Sequence, residues 1–262
     1  PQPFRRIGHN DEVWKGVQMH VRTYRRIHRW LGLVVGIQLL LWTAGGLFFS
    51  LNPIAKVRGE TEEPESLPLE FGTPPASPAA ALTELVRLHS EADIQTVALR
   101  PHLGGAIYEI TFLENGEPHW ALADASTGEL RAVIDRDEAI AIAKGAYLPE
   151  SPIADISLIA EATRRSEYRE RPVPAYRITF DDKLGTRLYV SVERGMVTAR
   201  RNDRWRLFDF LWMLHIMDYE SRDNFNTTLL QTVSALGLVT VMSGFVLAGV
   251  TSPRMRRLFG KT

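Results

Sequence analysis

The chain has 262 residues, with 31 lysines and arginines against 31 aspartates and glutamates, and 24% of its residues are charged. A formal net charge of zero gives no sign of a nucleic-acid partner, and the absence of cysteine excludes disulfide staples and thiolate chemistry. These averages hide a strong segregation of charge along the chain.

Residues 1–29 form a basic N-terminal segment, with Arg5, Arg6, Lys15, Arg22, Arg25, Arg26 and Arg29 against Asp11 and Glu12. It runs into residues 30–51, where Leu31 to Leu51 carry no charge. About 20 apolar residues at a rise of about 1.5 Å each cross the roughly 30 Å hydrocarbon core, so this is a candidate transmembrane helix. A second uncharged run occupies residues 224–252, followed by a basic tail (253–262) with Arg254, Arg256, Arg257 and Lys261. Basic residues flanking both runs place both termini in the cytoplasm and the centre of the chain on the far side, which is the periplasm of a bacterium. The long basic lead and the poor cleavage sequence after the first run argue against a cleaved signal peptide.

Residues 52–80 are rich in Pro and Glu and read as an extended, solvated linker, in which Glu60, Glu62, Glu63 and Glu65 form no cation site. Beyond it the sequence repeats itself. "YEITF" at Tyr108 to Phe112 recurs as "YRITF" at Tyr176 to Phe180, and turn glycines follow at Gly128 and Gly195. Alternating apolar residues interrupted by Asn-Gly or Asp/Gly turns predict antiparallel hairpins. Helical periodicity precedes each set, near residues 80–93 and at 137–148, with Asp135 or Asp137 as the N-cap of the second helix. The expected class is α+β: one unit at 81–135 and another at 136–201, each a helix followed by a small antiparallel sheet. The second unit carries an extra polar segment, "RRSEYRERP", expected between its helix and its strands.

Residues 202–223 read as an aromatic interfacial helix. Trp205, Phe208, Trp212, His215 and Tyr219 recur at helical spacing, and tryptophan and tyrosine favour the membrane–water boundary. Arg29, Trp30, Trp205, Trp212 and Tyr219 are the expected interface anchors. Within the spans, Gly32 and Gly36, and Gly244 and Ala248, follow the spacing that lets helix backbones approach in lipid. Gln38, about two turns into the first span, is expected to face the second span, another subunit or a bound group. His89, His102 and His119 show no metal-ligand spacing. No phosphate loop, paired catalytic carboxylates, nucleophile elbow or zinc motif occurs in the sequence.

The helix-then-hairpin unit with "Y-x-I-T-F" resembles a PepSY domain, present here twice. "RRIHRWLGLVVGIQLLLWTAGGLFF" resembles the first membrane helix of the PepSY-associated transmembrane family, and "WMLHIMDY" that family's later Leu-His element. The resemblance implies a bacterial inner-membrane protein with two tandem PepSY-like units outside, anchored by two helices where larger relatives have four. It implies a non-catalytic accessory or regulatory subunit bound to another membrane or periplasmic protein. Two alternatives follow from the same resemblance. One is a haem b-binding electron-transfer subunit linked to iron and siderophore reduction or to respiration, with His28 and His215 as ligands. The other is a periplasmic peptidase modulator. Separated by a full span, His28 and His215 are too far apart for one iron; a homodimer or a partner subunit would have to supply each second ligand.

Overall fold

The computed structural model describes residues 9–65 and 73–252. In chain order these form α1 (His9–Leu51), α2 (Ile54–Arg58), a 3-10 turn (Glu60–Glu62) and α3 (Ala79–Leu88). Strands β1 (Asp93–His102), β2 (Gly105–Glu114), β3 (Glu117–Asp124) and β4 (Leu130–Arg131) follow, and then α4 (Arg136–Gly145). The rest is β5 (Ile153–Ile159), β6 (Ala175–Phe180), β7 (Arg187–Ser191), β8 (Met196–Arg201), α5 (Asp203–Ile216) and α6 (Thr228–Thr251). The chain divides into two compact units, Asn52–Asp209 and the combination of Pro1–Leu51 with Phe210–Thr262.

The 52–209 unit is α+β. Its two sheets are four-stranded antiparallel meanders, ordered β1-β2-β3-β4 and β5-β6-β7-β8. The alternation that marks β2 in the sequence sends Tyr108, Ile110 and Phe112 to one face, where Ala81 and Leu85 of α3 cover them. Ile107 points to the opposite face and shares a core with Leu122, Ala139 and Ala143 of α4, and Ile178, Phe180, Leu188 and Val190 of the second sheet. The two repeats are therefore not separate bodies: one core runs through both. Asp135 caps α4, its side chain accepting from the Glu138 N–H. Gly128 and Gly195 hold positive φ, +76° and +55°, at equivalent turns. At Gly128 a Cβ would meet the Ser77 carbonyl oxygen at 2.2 Å, so glycine is required there.

Three features differ from the sequence-based expectation. The N-terminal part of the 52–80 stretch is built rather than extended: Val57 is buried, and the Glu62 carbonyl accepts from the Leu148 N–H at 2.9 Å. The polar segment 164–172 lies between β5 and β6, because "IADISLI" forms a strand ahead of it. α3 ends at Leu88 rather than near residue 93, and residues 93–102, where no strand is read from the sequence, form the edge strand β1.

In the other unit α1 and α6 run antiparallel. Val35 and Leu39 pack at Gly237, and His28 packs at Gly244. α1 over Arg22–Leu51 and α6 over Thr228–Gly249 are long and apolar enough to cross a membrane. Between α5 and α6, Asp218 organises the turn by accepting the N–H groups of Glu220, Ser221, Asp223 and Asn224. Burial opposes ionisation of that carboxyl, but the Ser221 hydroxyl and these amides hold it well below the ordinary range.

Candidate functional site

The second sheet exposes an edge. Among the described residues β5 pairs with β6 alone, with a bulge between Ile153 and Asp155, and Leu158 is 56% exposed. Beside the start of β5 a cleft of about 580 Å³ is lined by Pro64, Lys144, Tyr147, Leu148, Pro152 and Phe180, among others. The Tyr147 and Phe180 rings pack with centroids 4.5 Å apart. The Tyr147 hydroxyl bonds the Asp182 carboxylate, and burial together with that acceptor pushes its pKa up to about 12. The first sheet has a similar edge: among the described residues β1 pairs with β2 alone, and Gln95, Thr96, Val97 and Ala98 are exposed in succession. An unpaired strand edge can accept an extended segment through main-chain hydrogen bonds, with adjacent pockets selecting side chains. The cleft gives the β5 edge such a pocket.

The two predicted histidines lie at different levels of the helical unit. The Ser243 hydroxyl, 2.6 Å from His28 Nδ1, donates its one proton to the Thr240 carbonyl at 2.7 Å. It is thus the acceptor for His28, whose Nδ1 carries the hydrogen, and in the neutral ring Nε2 keeps the lone pair. His215 lies among Trp42, Phe49 and Trp212, at ring-centroid distances of 6.1, 5.7 and 6.2 Å. Its Nδ1 is buried with no hydrogen-bond partner among the described residues. His28 packs at Gly244 of α6, whereas His215 approaches Gly45, 17 positions beyond His28 along α1, or about 25 Å at about 1.5 Å per residue. At that separation the two imidazoles do not share one iron.

The remaining predicted positions divide. Gln38 donates to the Leu214 carbonyl at 3.4 Å, so its partner is the last turn of α5 rather than the second span. Gly244 makes the close approach to His28, but Cβ atoms at Gly32 and Gly36 would meet nothing within 4 Å, and Ala248 is exposed. The α1–α6 contact therefore does not use the Gly32/Gly36 face; Val35 and Leu39 lie at it instead. Arg29 and Trp30 are exposed, and Trp212 donates its indole N–H to the Arg222 carbonyl at 3.2 Å. Tyr219 is exposed beyond the end of α5, because the chain turns at Met217 with φ +53°. Trp205 lies under guanidinium groups, that of Arg201 at 4.0 Å and that of Arg169 at 5.7 Å. The single aromatic face read from the sequence does not persist to Tyr219.

Among the described residues no cluster of histidine, aspartate and glutamate is arranged to hold a metal ion. His102 Nε2 instead bonds Glu138 at 2.6 Å, and His89 bonds Glu114 at 3.1 Å. Sequence reasoning missed Glu167, which binds Arg187, Tyr189 and Arg206 at 2.6–2.9 Å. Burial works against its charge, but these three donors hold its carboxyl at about 2. The only signal was the density of arginine around residues 164–206.

No family model and no curated protein matches the chain. Among solved structures, a candidate lipoprotein from Clostridium difficile 630 is similar at 16% identity over 53% of this chain and 99% of that one. Its TM-score of 0.21 is too low for the likeness to bear on fold or function.

Proposed function

We propose that the protein is a non-catalytic accessory or regulatory subunit, anchored in a bacterial inner membrane by α1 and α6 through their spans. Its two-sheet unit stands on the periplasmic side, each half being a PepSY-like unit, and docks an extended segment of a partner protein. The observation that carries the docking is the free edge of β5 with the Tyr147–Phe180 cleft at its start. The anchoring is supported by the exposed Leu33, Val34, Ile37, Leu40, Val239, Met242, Phe245 and Val246, an apolar surface on both helices that lipid covers and water does not. Extraction in mild detergent should recover the protein in a larger complex. Leu158→Lys places a charge on the β5 edge and should reduce the co-purified partner at least fivefold with melting unchanged. Recovery of wild type as a lone monomer in several gentle detergents contradicts the reading.

A second reading, a haem b-carrying electron-transfer subunit, rests on His28. One-electron transfer is the chemistry a haem supplies when bound. Thr240 and Ser243 orient the imidazole so that Nε2 presents a lone pair, the arrangement ligation needs. Protein purified from haem-replete cells should then show a Soret band that His28→Ala removes without loss of membrane insertion. A colourless protein, with its partners still attached, overturns this second reading.

A further inference from the structure

We infer that Arg169, Arg171, Arg201 and Trp205 form a binding site for a phosphate group. The segment 164–172 that carries two of them is firmly built. Tyr168 is buried at its centre, stacked on Tyr189 with centroids 4.7 Å apart, and its hydroxyl donates to the Pro172 carbonyl at 2.7 Å. Arg169 and Arg171 flank this anchored ring.

Arg169 adopts φ +58°, a left-handed conformation that is strained for any side chain with a Cβ. Its N–H is held by Ser166 Oγ at 2.9 Å, and its guanidinium reaches Trp205 and the Asp209 carboxylate. Arg201, only 8% exposed, stacks over the same indole. Its Nε donates to the Glu167 carbonyl at 2.7 Å and its Nη1 to the Arg200 carbonyl at 2.8 Å; neither bond uses Nη2. Arg171, exposed, donates from Nη1 to the Thr198 carbonyl at 2.5 Å.

The charge is uneven. Arg171 and Arg201 bind neutral carbonyls, while the nearby Glu167 carboxylate is committed to Arg187 and Arg206. Asp209 offsets one of the three charges. Burial, then the like charges of Arg171 and Arg169, pull the Arg201 pKa down to about 10, which marks how crowded the cations are. Covering Trp205 would need one cation, not two, and would not require a strained backbone at Arg169. A phosphate mono- or diester matches the excess: its charge balances the guanidiniums of Arg171 and Arg201, and its several oxygens can accept from more than one guanidinium N–H.

Inorganic phosphate and the phosphodiester of an anionic lipid share this chemistry. The lipid source rests on the membrane reading above; the site itself does not. The test uses the full chain in phosphatidylcholine nanodiscs and reads Tm. One arm adds inorganic phosphate against chloride at equal ionic strength, and the other replaces part of the lipid with phosphatidylglycerol. A rise of about 3–5 °C is expected at roughly ten times Kd in at least one arm. Arg171→Gln should at least halve that rise, while Arg136→Gln, an exposed cation on α4, leaves it intact. A response to phosphatidylglycerol alone assigns a lipid headgroup, and a response to inorganic phosphate assigns a soluble one. No rise in either arm, or an equal rise in wild type and Arg171→Gln, overturns the proposal, and neither result touches the docking test at Leu158.

Discussion

At the scale of single residues, Glu167 is the clearest case of stability stored in an ionised group. Its carboxyl titrates near 2 in the folded chain and at the ordinary 4.5 when unfolded. The lowered folded value means that its contribution is complete above about pH 4.5 and is lost as pH falls through about 2. The shift corresponds to about 3 kcal/mol, with the side chain 20% exposed. Glu167→Gln should therefore lower stability by about that amount at pH 7 and weaken the loss of stability between about pH 4.5 and 2. Asp218 and Asp182, also held low, keep part of that acid dependence. Melting curves of wild type and variant in one detergent check this. Curves that stay parallel down to pH 2 would show that the Glu167 bonds do not act in solution. None of this network was legible in the sequence, where Glu167 is one acid in a basic run; its partners Tyr189 and Arg206 come from 22 and 39 residues away.

At the scale of elements, what the sequence revealed depended on periodicity. β2 and β6 were legible because Tyr108–Phe112 and Tyr176–Phe180 alternate, and each sends alternate residues into a covered face. α4 was legible through Asp135 and its apolar repeat. The edge strands were not. β1 is exposed over 95–98 and so lacks the alternation a half-buried strand displays, and β5 is interrupted by a bulge. The residues offered for docking are thus the ones that carry the weakest pattern. The end of α5 was missed for another reason: Asp218 gathers four backbone amides and ends the helix before Tyr219, a local hydrogen-bonding outcome that side-chain spacing does not encode.

At the scale of the whole molecule, two long apolar helices enclose, in sequence, a unit built from two sheets that share one hydrophobic cluster. The antiparallel pairing of α1 and α6, with His28 at Gly244 and Val35 at Gly237, sets the start of α1's apolar span beside the last turns of α6. The chain has no cysteine, so single substitutions report cleanly. Glu117 is exposed at the start of β3, and Thr23 is exposed before the apolar part of α1. The deciding measurement is labelling of Glu117→Cys and Thr23→Cys by a membrane-impermeant maleimide in intact spheroplasts. The account predicts that Glu117→Cys reacts at once and Thr23→Cys only after the membrane is breached. Reaction of both in intact spheroplasts, or of Thr23→Cys alone, would contradict it.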